Sequence, residues 1–313
     1  MPTSRLVMHA DAAPGYRAPV DSPSSAVTVV VASRNRRSEL VESLGHHRQP
    51  VILVDNGSTD GTAEAVEQRH PAVQVVRLDR NRGATARNLG VALATTPYVA
   101  FADDDSWWEP GALELAARIL DGHPRIGLLA ARILLGPENE PDPICDLMAD
   151  SPLPPDPGGY GKPVLGFAAC AAVVRRDAFL LAQGFDPVIF FGGEEERLAL
   201  DLAVAGWQLA YVPEIVVHHH PSLSRGNPEA HQVRITRNNL LTATMRRPWR
   251  VVLRQAWRAL RAGGVGLRAI LAAVPRLPAA LAARRRIPGR LEHRLERLEG
   301  WQSDHSTACC RRA

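Results

Sequence analysis

Short apolar segments alternate with helix-like segments at a nearly constant spacing along the first third of the chain. The strand-like segments are Val27–Ala32, Val51–Val54, Val73–Leu78 and Tyr98–Ala102. The helix-like segments between them are Arg36–His46, Thr59–His70 and Gly83–Ala94. A distance of 22–25 residues from one strand to the next is typical of βαβ units. The spacing therefore predicts an α/β fold with a mainly parallel sheet flanked by helices.

Polar clusters follow each of these strands. They are SRNR (Ser33–Arg36), DNGSTDGT (Asp55–Thr62), NRGATARN (Asn81–Asn88) and DDD (Asp103–Asp105). Right-handed crossovers bring the carboxyl ends of parallel strands to one edge of the sheet, where open α/β sheets bind ligands. We therefore expect the four clusters to form one site.

The second half of the chain has a less regular pattern. It predicts strands at Ile126–Ala131, Val164–Val174 and Gln208–Val217, and a helix over Gly192–Trp207. The Pro-rich stretch from Gly136 to Pro163 predicts a long surface loop that acts as a lid on the acceptor side. From about Arg237 onward the chain is helical and basic in pattern, with breaks at Gly263–Gly264, Pro275 and Pro278.

Three adjacent carboxylates follow the fourth strand in FADDDSWWEP. Asp103, Asp104 and Asp105 repel one another at a partly buried edge, and a hard divalent cation bound with substrate phosphates relieves that repulsion. The alternative is a solvated turn in which Asp105 or Ser106 caps a helix that starts near Pro110.

Other candidate groups also have two interpretations. Glu194, Glu195 and Glu196 could stabilise a helix N-terminus, or one of them could be a general base. Asp55 could organise a turn, contact a nucleotide base, or do both. Arg87 offers a bidentate donor to phosphate or carboxylate, and His218–His220 could bind metal or phosphate. Trp107 and Trp108 could form an acceptor platform or belong to the core.

Composition restricts the class of protein. Hydrophobic residues make up 45% and charged residues 22% of 313 residues, which excludes a disordered chain, a collagen and a coiled coil. Four cysteines without CxxC spacing predict reduced thiols. The longest uninterrupted apolar run has 11 residues, so we expect no membrane span and no signal peptide. Residues 1–25 predict a flexible tail.

Positive charge is concentrated at the C-terminal end. Residues 240–313 contain 16 basic and 4 acidic side chains, and Met245–Leu291 contains twelve arginines and no acid. This basic helical region could lie on an anionic membrane surface through residues 245–290, or it could be a helical subdomain with solvated arginines. No nucleic-acid-binding motif accompanies the charge, so we expect no nucleic-acid partner.

The ordered motifs resemble the family 2 glycosyltransferases with a GT-A fold. VTVVVASRNR, VDNGSTDGT, NRGATARNLG, FADDDSWWEP, GFDPVIFFGGEEERLALDLAVAGW and YVPEIVVHHH carry the resemblance, from about Ala26 to Pro221. It implies a flexible tail over 1–25, a catalytic domain over 26–225 and a basic helical region over 226–313. It also implies Mn²⁺ or Mg²⁺ as the cofactor.

The resemblance also implies roles for individual residues. The predicted nucleotide-sugar contacts are Ala32, Arg34, Asp55, Asn81, Arg87, Asn88, Asp103 and Asp104. The predicted metal ligands are Asp103, Asp105 and His219. Glu195 is the expected base, with Glu194 and Glu196 as alternatives, because the family's Glu-Asp pair is Glu-Glu here. A further Asp common in the family is Arg197 in this chain.

These residues imply an inverting, metal-dependent glycosyltransferase that transfers a sugar from a nucleotide-diphosphate sugar. The expected acceptor is a hydroxyl of a saccharide or of a lipid-linked glycan in cell-envelope or polysaccharide synthesis, and the expected location is cytoplasmic, peripheral at the inner face of the plasma membrane. A catalytically weak nucleotide-sugar-binding scaffold is the alternative. A sugar-phosphate nucleotidyltransferase is disfavoured because SRNR lacks the glycines that its first loop would need.

Overall fold

A computed structural model describes residues 25–222 and 227–309 of the chain, with side chains described up to residue 303. The predicted tail over 1–25 lies outside the described residues except for Ser25. Cys145 and Cys170 are buried free thiols, in agreement with the expected reduced state.

In the described part of the chain, ten strands form a single sheet. Their bounds are β1 Val27–Ser33, β2 Val51–Asp55, β3 Gln74–Arg77, β4 Tyr98–Ala102, β5 Ser106–Trp108, β6 Ile126–Leu135, β7 Glu140–Pro141, β8 Lys162–Pro163, β9 Ala172–Arg175 and β10 Gln208–His219. The strand order is β3-β2-β1-β4-β9-β6-β10-β5, while β7 pairs with β6 and β8 pairs with β10. The predicted parallel half is confirmed, because β1 is parallel to both β2 and β4 and β2 is parallel to β3.

Helices cover the sheet and form the C-terminal region. Their bounds are α1 Arg37–Leu44, α2 Thr62–Arg69, α3 Ala86–Leu93, α4 Ala112–Gly122, α5 Pro143–Ala149, α6 Arg176–Leu181, α7 Glu194–Val204, α8 Pro228–Arg246, α9 Trp249–Arg261, α10 Gly264–Ala273, α11 Leu277–Ala282 and α12 Gly289–Cys309. Short 3₁₀ turns occupy Gly83–Thr85, Ala169–Ala171 and Val274–Arg276.

Continuous apolar strands form the core. Every residue of β2 and β4 is buried, and Val29, Val30 and Val31 of β1 have no accessible surface. A strand with apolar residues on both faces is suited to a sheet covered by helices on both sides. The core therefore fixes the edge at which the four polar clusters emerge.

The predicted strand over Val164–Val174 is wrong for most of its length. Only Ala172, Val173 and Val174 of this segment belong to a strand, β9, which is antiparallel to β4 and β6. The preceding residues leave the sheet and form the Ala169–Ala171 turn, and the side chains of Phe167 and Cys170 are buried. Apolar residues that pack under a sheet produce the same sequence pattern as a strand within it.

Two further expectations need correction. The Pro-rich stretch is not all loop, because it contains α5, and Asp142 caps this helix by accepting a hydrogen bond from Ile144 N–H at 2.9 Å. The helix after the aspartates begins at Ala112 with Gly111 at its N-cap, so neither Asp105 nor Ser106 caps it. Ser106–Trp108 instead form β5, antiparallel to the end of β10.

The C-terminal helices begin earlier than the sequence pattern indicated. α8 starts at Pro228, and Asn227 caps it by accepting a hydrogen bond from Glu229 N–H at 2.8 Å. Gly263 separates α9 from α10, at the predicted break. The segment Gly264–Ala282 is long and apolar enough to cross a membrane by length and composition. Counting uninterrupted apolar runs missed this segment because Arg268 and Arg276 divide it.

Candidate functional site

A cavity of about 500 Å³ opens at the carboxyl edge of the parallel strands. All four predicted polar clusters contribute to it. Its lining residues are Ala32, Ser33, Arg34, Asn35, Arg36, Asn56, Asn81, Gly83, Arg87, Asp103, Asp104, Asp105, Phe190, Phe191, His219 and Arg234. The expectation that the clusters meet at one edge of the sheet is therefore confirmed.

Each of the three aspartates has a different partner. Asp103 Oδ1 accepts a hydrogen bond from Arg87 Nη2 at 2.5 Å, and Asp104 Oδ2 accepts one from the Ser33 hydroxyl at 2.9 Å. Asp105 Oδ1 lies 3.2 Å from His219 Nε2. Each carboxylate is thus directed by its own cation or donor, and the three do not share a single partner.

The electrostatic environment of the triplet differs from one carboxyl to the next. Burial raises the pKa of Asp104 to about 6, and the charges of Asp103 and Asp105 add to this effect. Burial also raises the pKa of Asp105, but the hydrogen bond and charge of His219 outweigh it, and the net pKa is lowered. Asp105 is therefore the carboxylate of this pair that stays ionised more readily.

Arg87 connects the aspartates to the glutamate helix. Its buried guanidinium binds Asp103 on one side and lies 4.0 Å from Glu194 Oε1 on the other. Burial lowers the pKa of Arg87, but Asp103, Glu194 and Glu195 raise it further, so the group remains a cation. Asp103, which follows β4, and Glu194, which begins α7, are thereby both close to the positive charge of Arg87.

The three glutamates at the start of α7 occupy different surroundings. Glu194 is 2% exposed, and its Oε2 has no hydrogen-bond partner among the described residues. Glu195 is partly accessible, and burial together with the charge of Glu194 raises its pKa to about 8. Glu196 faces Arg247 and Glu299, and burial raises its pKa to about 7. Glu195 is thus a partly accessible residue that forms no ion pair with another described residue.

Two glycines set the direction of this helix. Gly192 and Gly193 have φ values of +86° and +83°, which residues with a Cβ rarely adopt. Asn238 of α8 donates hydrogen bonds to the carbonyl oxygens of Phe191 and Gly192, at 2.8 and 2.5 Å. The C-terminal region therefore fixes the turn from which the glutamates project.

Arg197, at a position where an acid is common in the resembled family, has a structural role. Its buried guanidinium lies 2.9 Å from Asp201 and 3.5 Å from Asp186, and it donates a hydrogen bond to the Gly184 carbonyl at 2.5 Å. These contacts hold the loop before α7 against the helix itself. The position is therefore occupied by a buried cation that forms ion pairs with Asp201 and Asp186.

Several predicted site residues lie outside the cavity lining. Asp55 is buried and accepts a hydrogen bond from Ser58 N–H at 3.2 Å, as the turn interpretation requires. Asn88 donates to the Phe185 carbonyl and accepts from its N–H, so its amide is fully used by the backbone. Glu194 and Glu195 lie beyond Arg87, adjacent to the cavity.

Trp107 and Trp108, the residues of the predicted acceptor platform, have different surroundings. Trp108 is buried in the main core, because alternate residues of β5 point to opposite faces of the sheet. Trp107 stacks on the ring of His46 at 4.3 Å and on that of His218 at 5.5 Å, which occupies its faces. The core interpretation therefore holds for Trp108, and neither indole lines the cavity.

Sequence reasoning missed part of the lining. Asn56 accepts a hydrogen bond from Arg82 N–H at 2.7 Å and donates to the Gly83 carbonyl at 3.1 Å, so it joins two of the clusters. Its position in the DNGSTDGT cluster could have identified Asn56 as a lining residue. Phe190 and Phe191 belong to the GFDPVIFFGGEEERLALDLAVAGW motif. Arg234 had no such signal, because the local sequence does not indicate that α8 returns to the sheet edge.

The donor set has the chemistry that a hard divalent cation requires. Asp103, Asp105 and His219 all line the cavity, and carboxylate oxygen with one imidazole suits Mn²⁺ or Mg²⁺. Within residues 25–222 and 227–303, no group of three or more His, Cys, Asp or Glu side chains is arranged to hold a metal ion. A cation at this site would therefore need ligands from a bound diphosphate.

Comparisons with known proteins agree with this geometry. The profile of the family described as Glycosyl transferase family 2 matches residues 28–180. The chain is 31% identical over 218 residues to N-acetylglucosaminyl-diphospho-decaprenol L-rhamnosyltransferase of Mycobacterium tuberculosis, covering 58% of this chain and 70% of that protein. It is 36% identical over 229 residues to the pre-mycofactocin glycosyltransferase of the same organism, covering 67% of this chain and 46% of that protein.

Solved structures share the fold. The mannosyltransferase PcManGT from Pyrobaculum calidifontis, in complex with GDP-Man and Mn²⁺, superposes with a TM-score of 0.54 at 22% identity, over 85% of this chain and 77% of that one. S. aureus TarS 1–349 in complex with UDP-GlcNAc gives a TM-score of 0.53 at 16% identity, over 82% and 79%. At these identities the likeness shows a shared fold and nothing more.

Proposed function

Since this chain belongs to glycosyl transferase family 2 and has the GT-A fold, we propose that it is an inverting, metal-dependent enzyme of cell-envelope glycan synthesis. It transfers a sugar from a nucleotide-diphosphate sugar to a hydroxyl group of a saccharide or lipid-linked acceptor. The observation that carries the proposal is the link through Arg87 between the aspartates of the cavity and the glutamates of α7. This link supports a donor site that lies beside a candidate base.

The polar clusters provide the donor site. Ala32, Arg34 and Asn81 line the cavity at the carboxyl edge of the parallel strands. Asp103, Asp105 and His219 would hold Mn²⁺ or Mg²⁺, which supplies positive charge for the diphosphate leaving group. Asp104, the middle residue of the triplet, is oriented by the hydrogen bond that it accepts from the Ser33 hydroxyl. PcManGT was solved with GDP-Man and Mn²⁺, which is consistent with such a site.

Glu195 is the proposed base. Its carboxylate takes the proton of the acceptor hydroxyl, the hydroxyl oxygen bonds to the anomeric carbon, and the bond to the nucleoside diphosphate breaks. One carboxylate and no second nucleophile give a single displacement with inversion. Glu194 is less suitable, because it is buried against Arg87.

Arg197 and the Glu-Glu pair are the two sequence features that favour the scaffold alternative. Arg197 raised doubt because an acid is common there, but this arginine is buried and paired within the fold. A Glu-Glu pair keeps a carboxylate at both positions of the family's Glu-Asp pair. The relative named as acting on a diphospho-decaprenol sugar supports a lipid-diphosphate-linked acceptor for this chain.

Thermal unfolding with donors tests the site. We would record the melting temperature with UDP, dTDP and GDP sugars, each with and without Mn²⁺, for the wild type, Asp105→Asn and Asp79→Asn. Ligand at about 100 times its Kd adds about 2.7 kcal/mol of stability. We expect a metal-dependent shift with one nucleotide, lost in Asp105→Asn and kept in Asp79→Asn, whose side chain is on the surface.

The reaction itself is tested on the donor so identified. Incubation with a prenyl-diphosphate-linked sugar should yield a product of inverted anomeric configuration, detected by NMR. Binding of the donor without transfer to any saccharide or lipid-linked acceptor would favour the scaffold alternative. A product of retained configuration would rule out the single displacement.

A further inference from the structure

Large apolar side chains are exposed in one part of the molecule. Of the fifteen large hydrophobic residues that the structure describes as exposed, eight lie between residues 249 and 281. They are Trp249, Leu253, Trp257, Leu260, Leu267, Leu271, Val274 and Leu281. Leu253 is 68% and Trp257 is 61% exposed. We refer to these eight residues as the C-terminal apolar face, and a cluster of this kind marks an interaction surface.

Helical spacing places these residues on common faces. Trp249, Leu253, Trp257 and Leu260 follow one another at intervals of four, four and three residues. At about 100° per residue they fall within about 80° of arc on α9. Leu267, Leu271 and Val274 repeat the pattern along α10 and the turn that follows it. The exposed apolar surface therefore contains one stripe on α9 and another on α10.

The inward faces of the same helices carry small residues. Gly266, Ala269 and Ala273 of α10 are buried, and so is Ala259 of α9. A Cβ on Gly266 would lie 1.7 Å from the Ala259 carbonyl oxygen, so the two helices touch backbone to backbone. Small residues inward and large ones outward reverse the usual pattern of a helix in water.

Arginines are frequent in the same segment of the chain. Met245–Leu291 contains twelve arginines and no acid. Arg258, Arg261, Arg285 and Arg286 have exposed side chains, and none of them forms an ion pair with a residue that the structure describes. A guanidinium binds phosphate through two parallel hydrogen bonds, and tryptophan favours the boundary between headgroups and acyl chains. The arginines and the apolar residues are thus both suited to the surface of an anionic phospholipid bilayer.

We propose that the C-terminal apolar face docks on an anionic phospholipid bilayer, with α9 and α10 lying in the plane of its headgroup region. Trp257 and Leu253 enter the acyl boundary, while Arg258 and Arg261 bind lipid phosphates. Lying flat agrees with the structure, because the apolar Gly264–Ala282 segment is broken by a 3₁₀ turn at Val274–Arg276 and packs on α8.

The face reaches the wall of the cavity. Arg276, two residues from Val274, donates a hydrogen bond to the Val188 carbonyl at 2.7 Å and lies over the Phe190 ring at 5.9 Å. Phe190 lines the cavity. A membrane-bound acceptor would therefore be presented beside the cavity, although docking itself does not depend on the proposed reaction.

Sedimentation with sucrose-loaded vesicles tests docking directly. The full chain would be mixed with phosphatidylcholine vesicles and with vesicles that also contain phosphatidylglycerol, at low and at high salt. We expect binding to the anionic vesicles, weakened by salt, and at least a tenfold loss in the double variant Leu253→Ser, Trp257→Ser. Arg258→Gln with Arg261→Gln should lower affinity about fivefold per arginine on anionic vesicles.

Matched controls come from the same chain. Leu181→Ser removes an apolar residue that is 73% exposed on α6, and Arg48→Gln removes an exposed arginine beyond α1. Both should bind vesicles like the wild type. Absence of sedimentation with anionic vesicles, or equal losses in the controls, would overturn the proposal. A second result would also overturn it: neither the wild type nor the apolar double variant binds vesicles, and light scattering shows a dimer for the wild type and a monomer for the variant. The face would then join two copies of the chain.

Discussion

Arg246 binds both carboxylate oxygens of Asp201, at 2.5 and 3.0 Å, and so joins α8 to α7. Asp201 also lies 2.9 Å from the Nε atom of Arg197. One carboxylate therefore neutralises two arginines whose side chains are almost fully buried. Since α7 begins with the three glutamates, this junction couples the C-terminal helices to the candidate base.

Replacing Asp201 should destabilise the protein strongly. Asp201→Asn keeps the shape of the side chain but leaves Arg246 and Arg197 without their shared anion. Breaking a buried ion pair costs about 3–5 kcal/mol, and we expect a loss of about 3 kcal/mol in denaturant unfolding. Glu67→Gln, which removes a surface partner of Arg77, is the control and should leave the unfolding midpoint unchanged. Equal effects in the two variants would contradict a structural role for the junction.

The first four strands could be predicted from the sequence for a physical reason. β1, β2 and β4 are buried on both faces, and such burial requires the continuous apolar runs that the sequence contains. The polar clusters then had to emerge at one edge, because parallel strands share a direction. The cavity lining was therefore predictable for Arg34, Asn81, Arg87 and the three aspartates.

The remaining parts depend on contacts between distant segments. The segment before β9 is as apolar as a strand, and only its pairing partners decide that it turns under the sheet. Arg234 lines the cavity because α8 packs back on the Phe191–Gly192 turn, where Asn238 binds. Trp108 points into the core because β5 pairs with β10 in one register. None of these relations is encoded within a local stretch of sequence.

Glu195 and Glu194 should respond differently to substitution. Glu195→Gln removes the proposed base, and we expect a 10²- to 10⁴-fold loss of transfer, on the order found for general bases, with donor binding retained. With a pKa near 8, the ionised fraction of Glu195 rises with pH, so kcat/KM should increase up to about pH 8 and then level off. A pH–rate profile of the wild type measures this.

Glu194→Gln is the matched variant. Burial and the charge of Glu194 both raise the pKa of Glu195, so removal of that charge should move the rise in kcat/KM to lower pH. The variant should remain active, although Arg87 loses one partner. Full activity in Glu195→Gln, with loss only in Glu194→Gln, would assign the base to Glu194 instead.

Glu196→Gln should stabilise the protein at neutral and alkaline pH. Burial raises the folded-state pKa of Glu196 to about 7 from 4.5, so the folded state binds its proton more tightly than the unfolded state does. Stability is therefore lost as pH rises from 4.5 to 7, and the loss is complete above that range. A shift of this size corresponds to about 3 kcal/mol, and the partial solvent exposure of Glu196 lowers the expected effect to about 2 kcal/mol.

The test is the difference in unfolding free energy between Glu196→Gln and the wild type across pH. We expect the variant to be more stable by about 2 kcal/mol at pH 8, as an order of magnitude, with the gain vanishing near pH 4.5. Glu195 titrates in both proteins and cancels in the difference. Glu114→Gln on the exposed face of α4 controls for the substitution itself. A gain that did not change with pH would exclude titration of Glu196 as the cause.

Gly83→Ala should damage the wall of the cavity. Gly83 has a φ of +60°, and a Cβ there would lie 2.2 Å from the carbonyl oxygen of Phe190, which accepts a hydrogen bond from Ala84 N–H at 2.6 Å. The alanine must push Phe190 away from the cavity, so we expect a loss of about 1–3 kcal/mol in stability and weaker donor binding. Gly122→Ala, where nothing lies within 4 Å, is the control and should be neutral or slightly stabilising. Unchanged donor affinity in Gly83→Ala, measured by calorimetry, would show that Phe190 does not contribute to the donor site.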